Sequence, residues 1–63
     1  MTHTGKIRRV DLDKQVFDIR NSTEGVTIKY SPIFIDFVKD NFLRDTVVTI
    51  VADENENLIT FKY

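Results

Sequence analysis

Along most of this chain apolar and polar residues alternate with a period of two, and the phase changes only where an element should end. Residues 15–21, "QVFDIRN", place Phe17 and Ile19 on one face and Val16, Asp18 and Arg20 on the other, as in a half-buried strand. Residues 26–31, "VTIKYS", repeat the pattern, with Val26, Ile28 and Tyr30 inward and Thr27 and Lys29 outward. Upstream, "GKIRRVD" (5–11) is anchored by Ile7 and Val10, and that spacing breaks the period. It predicts a bulge or strong bend at Arg8–Arg9. "DLDK" (11–14) and "NSTEG" (21–25) read as turns, with aspartates suited to local side-chain-to-backbone hydrogen bonds and Gly25 available for a positive φ. The first two strands then form a hairpin.

At Ser31 the period switches. Ser31 suits an N-cap and Pro32 the first helical position, where a missing N–H removes no hydrogen bond. Beyond them Ile33, Phe34, Phe37, Val38 and Phe42 recur in steps of three and four, with Asp36, Lys39 and Asp40 opposite. This predicts one short amphipathic helix that plugs the protein's own core. Asn41 falls within the apolar arc and needs a hydrogen-bond partner if buried. "TVVTIVA" (46–52) is β-branched and apolar on both faces, Val47 and Val51 on one, Val48, Ile50 and Ala52 on the other. "DENEN" (53–57) is a polar turn. "LITFKY" (58–63) is a fifth strand with Ile59, Phe61 and Tyr63 in one phase.

The elements run strand, strand, strand, helix, strand, strand, with no linkers or repeats, so residues 1–63 form one domain whose residues 1–4 read as a frayed terminus. The predicted fold class is mainly β with one helix, a small five-stranded barrel whose open end the helix caps. With its helix between the third and fourth strands, this order resembles an OB-fold. "GKIRRVDLDKQVFDIR" is also similar to the first hairpin of small prokaryotic OB-like barrels, in which a bent glycine-led strand precedes F-x-I/L-R. An SH3-like barrel is the alternative closure, and an open sheet with the helix laid across one face is a third.

Composition narrows the function. A 63-residue chain buries only about 60% of its unfolded surface, so little core can be left outside. Without cysteine, disulfides and thiolate metal sites are excluded, and the lone His3 offers no zinc site. The polar start does not read as a signal peptide, and no apolar run approaches the roughly 20 residues of a membrane span, so cytoplasmic residence is expected. The net charge of −1 is split unevenly, +2 through Ser31 and −3 from Pro32 onward.

Catalytic classes find little support. There is no cysteine nucleophile, no histidine outside the first residues, and no glycine-rich phosphate loop with only Gly5 and Gly25. Asp11/Asp13 and Asp53/Glu54/Glu56 pair carboxylates, but in turns, where solvation is expected to keep their pKa values ordinary. Asp53, Asn55 and Asn57 match the start of a calcium loop, yet its sixth position is Leu58 instead of glycine and the chain ends before the twelfth. A non-catalytic module without a cofactor is expected.

Two surfaces remain. Alternation puts Lys6, Arg8, Arg20 and Lys29 on the outer face of the first three strands. The OB resemblance implies single-strand nucleic-acid binding on that face. Asp18 among the cations and the inward phase of the aromatics weigh against it. The apolar surplus points elsewhere: Val47 and Val51, or else Val48 and Ile50, must lie on the outer side of the fourth strand, and Val47, Val51 and Leu58 are expected to form an association surface for a protein partner or a second copy. Ile35, Leu43 and Val16 also fall outside the simplest core phases, and the last strand offers an edge for pairing. Protein association is the leading expectation, nucleic-acid binding the alternative.

Overall fold

The computed structural model describes residues 1–62; Tyr63, expected in phase with Ile59 and Phe61, lies outside the described residues. Its longest strand, β1 (Thr2–Asp11), pairs on both sides. Its first half faces β4 (Val47–Ala52), from Thr2↔Val51 to Lys6↔Val47. Its second half faces β2 (Val16–Arg20), from Lys6↔Arg20 to Asp11↔Val16. β3 (Gly25–Lys29) pairs with β2, and β5 (Leu58–Lys62) with β4, giving the antiparallel order β3-β2-β1-β4-β5. A strand that changes partners midway has to coil, and the sheet curls into a half-barrel. At its open side one parallel bridge, Lys29↔Asn57, brings the end of β3 to the start of β5, and the Lys29 N–H donates to the Glu56 carbonyl at 2.8 Å. A 3₁₀ turn (Pro32–Phe34) and α1 (Ile35–Arg44) separate β3 from β4, so the expected order β-β-β-α-β-β holds.

The predicted kink is present. Ile7 pairs with Ile19 and Arg9 with Asp18, so Arg8 is an extra, bulged residue, and both arginines are exposed. Inside lie Ile7, Phe17, Ile19, Ile28, Tyr30, Val48, Ile50, Ala52 and Leu58 from the strands, with Phe37 and Val38 from the helix. Burying each large apolar side chain contributes roughly 1.5–3 kcal/mol, and on so small a chain this set is most of the core. The helix plugs the half-barrel as expected.

Several details depart from the alternation. Residues 1–4 are not frayed: Thr2 to Thr4 pair with β4, the Ala52 N–H donates to the Met1 carbonyl at 2.8 Å, and His3 is buried opposite Ile50. The backbone groups of the apolar strand β4 need partners, and residues 2–6 supply them. Ser31 caps nothing with its side chain; only its carbonyl takes part, accepting from the Phe34 N–H at 2.9 Å, and a 3₁₀ turn leads into α1. On the helix Phe37, Val38 and Asn41 are buried, whereas Ile33 is exposed and Phe42 is 40% exposed. At 100° per residue Asn41 falls between Phe37 and Val38, so it takes the inner place and Phe42 moves to the edge. The Asn41 amide donates to the Phe37 carbonyl at 2.8 Å, the partner its burial requires.

β5 changes phase. Val51 pairs with Thr60 and Ala52 with Leu58, leaving Ile59 as a bulged residue. Leu58 therefore points inward, only 7% exposed, and Ile59 outward. The expected grouping of Ile59 with Phe61 does not survive that extra residue.

Candidate functional site

The turns are built from side-chain oxygens. Asp11 Oδ1 accepts from the Asp13 and Lys14 N–H groups at 3.0 and 2.9 Å. Asn21 Oδ1 accepts from the N–H groups of Thr23 and Glu24 at 2.8 and 2.9 Å, and no glycine takes a positive φ; Gln15, Asp45 and Glu56 do. Asp53 Oδ1 accepts from the Asn55 and Asn57 N–H groups at 2.9 and 3.0 Å. Two of the turn carboxylates, Asp11 and Asp53, are consequently not ordinary. The Lys14 N–H holds Asp11 below the usual carboxylate range, and the Asn57 N–H does the same for Asp53, in each case against a smaller opposing effect of burial. Both carboxylates serve to shape turns.

Three of the four predicted cations meet. Lys6 and Arg20 face each other across the β1–β2 ladder, and with bulged Arg8 they line an open hollow of about 330 Å³. Thr4, Gly5, Asn21, Ser22 and Val47 complete its walls. Gly5 lets β1 approach the end of β2 beside the hollow, because a Cβ there would lie 2.3 Å from the Arg20 carbonyl oxygen. The Asn21 amide, donating to the Thr4 carbonyl at 2.7 Å, ties the β2–β3 turn beside it. Lys29 is not part of this group: it sits at the far end of β3, opposite Val16.

Like charges directly across a ladder repel, and carboxylates offset this pair. Asp45, at the C-terminal cap of α1, places Oδ1 2.8 Å from Arg8 Nη1 and Oδ2 3.3 Å from Lys6 Nζ. Arg20 Nη2 lies a looser 3.9 Å from Asp18 Oδ2. Asp18 also accepts from the Thr27 hydroxyl at 2.7 Å. Arg9, which alternation left out, stands in the next outward row and lines a mixed-charge hollow with Lys14, Asp11 and Asp18. The bulge at Arg8 was the signal for it, since an extra residue turns two successive side chains outward.

The expected association surface is dispersed. Val47 is exposed but borders the basic hollow, Val51 is half-buried, and Leu58 belongs to the core. Another apolar surface stands in its place: Leu12, 52% exposed, Phe42, and Leu43, 77% exposed, border a hollow of about 230 Å³ with Val10 and Lys39. Sequence reasoning noticed Leu43 as a leftover, but Leu12 lay hidden in a polar turn and Phe42 was assigned to the core.

His3 was missed as well. Its Nε2 lies 3.5 Å from Glu56 Oε2 and its Nδ1 3.9 Å from Glu24 Oε1, between two different turns. Both ring nitrogens and that Glu56 oxygen are buried without a hydrogen bond among the described residues. Among the described residues no group of three or more His, Cys, Asp or Glu side chains is arranged to hold a metal, and no helix is long and apolar enough to cross a membrane. Compared with protein-family models, curated proteins and solved structures, the chain finds no match.

Proposed function

We propose that this chain is a small OB-like barrel that works as a non-catalytic interaction module, associating with a protein through the Leu12–Phe42–Leu43 hollow. The OB-like reading is supported by the strand order β3-β2-β1-β4-β5, by the parallel bridge from β3 to the start of β5, and by the helix at the end of the barrel. Cytoplasmic residence and the absence of a cofactor belong to the same proposal.

One observation carries the association reading. A chain this short, with so little core to spare, leaves three large apolar side chains exposed around one hollow where the helix meets the β1–β2 turn. The partner is a second copy or a larger protein. Light scattering after gel filtration should give at least twice the monomer mass for a self-associating chain, and Leu43→Asp, at an exposed position, should return it to a monomer. A photo-crosslinking residue at position 43, compared with one at exposed Ile59, reports a heterologous partner in cells. A strict monomer at high concentration with no crosslink specific to position 43 refutes association at this surface.

The convergence of Lys6, Arg8 and Arg20 favours a second reading, single-stranded nucleic acid bound by its phosphodiester backbone at the basic hollow. Fluorescence anisotropy with a labelled oligonucleotide should show salt-sensitive binding that Arg8→Glu with Arg20→Glu abolishes. No binding at low salt ends that reading.

A further inference from the structure

Asp45 is an unfavourable choice for the place it occupies. It takes a left-handed backbone conformation, φ 56°, ψ 42°, in which glycine or asparagine is the usual residue. It also puts a negative charge at the negative end of the α1 dipole, where cations are favoured. Its backbone N–H donates to the Asn41 carbonyl, a duty that needs no carboxylate. What the carboxylate does is hold cations, one oxygen on Arg8 and the other on Lys6. These are two of the three cations of the basic hollow, and Asp45 itself stands outside its lining. Both pairs are solvent-exposed, so they are weak enough to exchange.

We propose that Asp45 is the resident anion of the basic hollow. Its carboxylate draws Lys6 and Arg8 to the rim in the free protein and gives them up to a phosphodiester oxygen when a single strand binds. The inference rests on the second reading above, that the hollow takes a nucleic-acid backbone. It adds a built-in competitor that lowers affinity and makes binding selective for ligands able to displace a carboxylate. No covalent change is involved; one anion replaces another on the same two cations.

Asp45→Asn provides the test, because asparagine keeps the left-handed cap while removing the charge. Asp40→Asn, on the exposed face of the helix, makes the same change in net charge away from the hollow. Binding of a labelled oligo-dT is followed by anisotropy over a range of salt concentrations for the unaltered protein and both variants, with thermal melts to establish folding. Asp45→Asn should bind about tenfold tighter at low salt. Its plot of log affinity against log salt should be steeper, because added salt weakens the competing Asp45 pairs of the unaltered protein and the two plots converge at high salt. Asp40→Asn should change affinity less than about twofold. If the unaltered protein binds and Asp45→Asn binds no tighter, or Asp40→Asn gains as much, the resident-anion inference is overturned while the nucleic-acid reading stands. If none of the three binds at low salt, both fall.

Discussion

Phe61 of β5 stacks on Phe37 of α1, with ring centroids 3.7 Å apart and planes inclined by 17°. Phe34 meets the same ring edge-on at 6.1 Å and 79°. The helix thus holds the inner face of the last strand. Each such aromatic pair adds about 0.5–1.5 kcal/mol beyond the area it buries.

Phe37→Ala should therefore destabilise by roughly 3–5 kcal/mol, enough to unfold a marginal domain of this size. Phe42→Ala, at the exposed edge of the same helix, should stay below about 1.5 kcal/mol. Urea denaturation of both variants checks the contrast, and equal losses would contradict the placement of Asn41 at the inner position.

Gly5→Ala tests the close approach of β1 to the Arg20 carbonyl. The added methyl meets backbone at 2.3 and 2.7 Å and has no side chain to push aside. A loss of roughly 1–3 kcal/mol is expected. Gly25→Ala meets only the flexible Arg20 side chain, at 3.1 Å, and should lose less. Thermal melts that rank the two in the opposite order would rule out this account of Gly5.

Tyr30→Phe should leave stability at pH 7 unchanged or raise it by up to about 1 kcal/mol, because the buried Tyr30 hydroxyl has no hydrogen-bond partner among the described residues. Burial, with a smaller contribution from the Asp11 charge, pushes the Tyr30 pKa upward. As pH rises past the ordinary value of about 10, the unfolded chain loses this proton first, so the unaltered protein loses stability there. The variant lacks that fall, and denaturation midpoints at pH 8 and 11 should diverge in its favour.

On the acid side the sign reverses. Asp53 and Asp11 have depressed pKa values in the folded state, so their contribution is present above about pH 4 and is lost as pH falls through their folded values. Asp53→Asn should be less stable than the unaltered protein at pH 7, and the gap should narrow as pH falls below about 4. A gap that persists undiminished at pH 2 would show that Asp53 acts through geometry alone.

Much of the fold was legible because alternation and turn chemistry are local. Phe17 and Ile19, Ile28 and Tyr30, the bulge at Arg8, and the Asp11 and Asp53 turns all follow from residues within a few positions of one another. The site was only half legible. Alternation could place Lys6, Arg8 and Arg20 on one face, but it grouped Lys29 with them, because it carries no information on distance along a strand. Asp45 lies 39 residues from Lys6 in the chain, and no local pattern joins them.

The sequence by itself determined the element order, the inward phase of the second and third strands, the bend in the first, and the absence of cysteine chemistry. Only the tertiary structure decided which face of β4 is buried, that Ile59 bulges so Leu58 turns inward, that Asn41 displaces Phe42, and that His3 is enclosed between two turns. The physical reason is common to these cases. A period states which side chains share a face, whereas burial is a competition among all faces for one small interior. The register of β1 against β4 and the packing of Phe37 on Phe61 settle that competition between residues far apart in the chain.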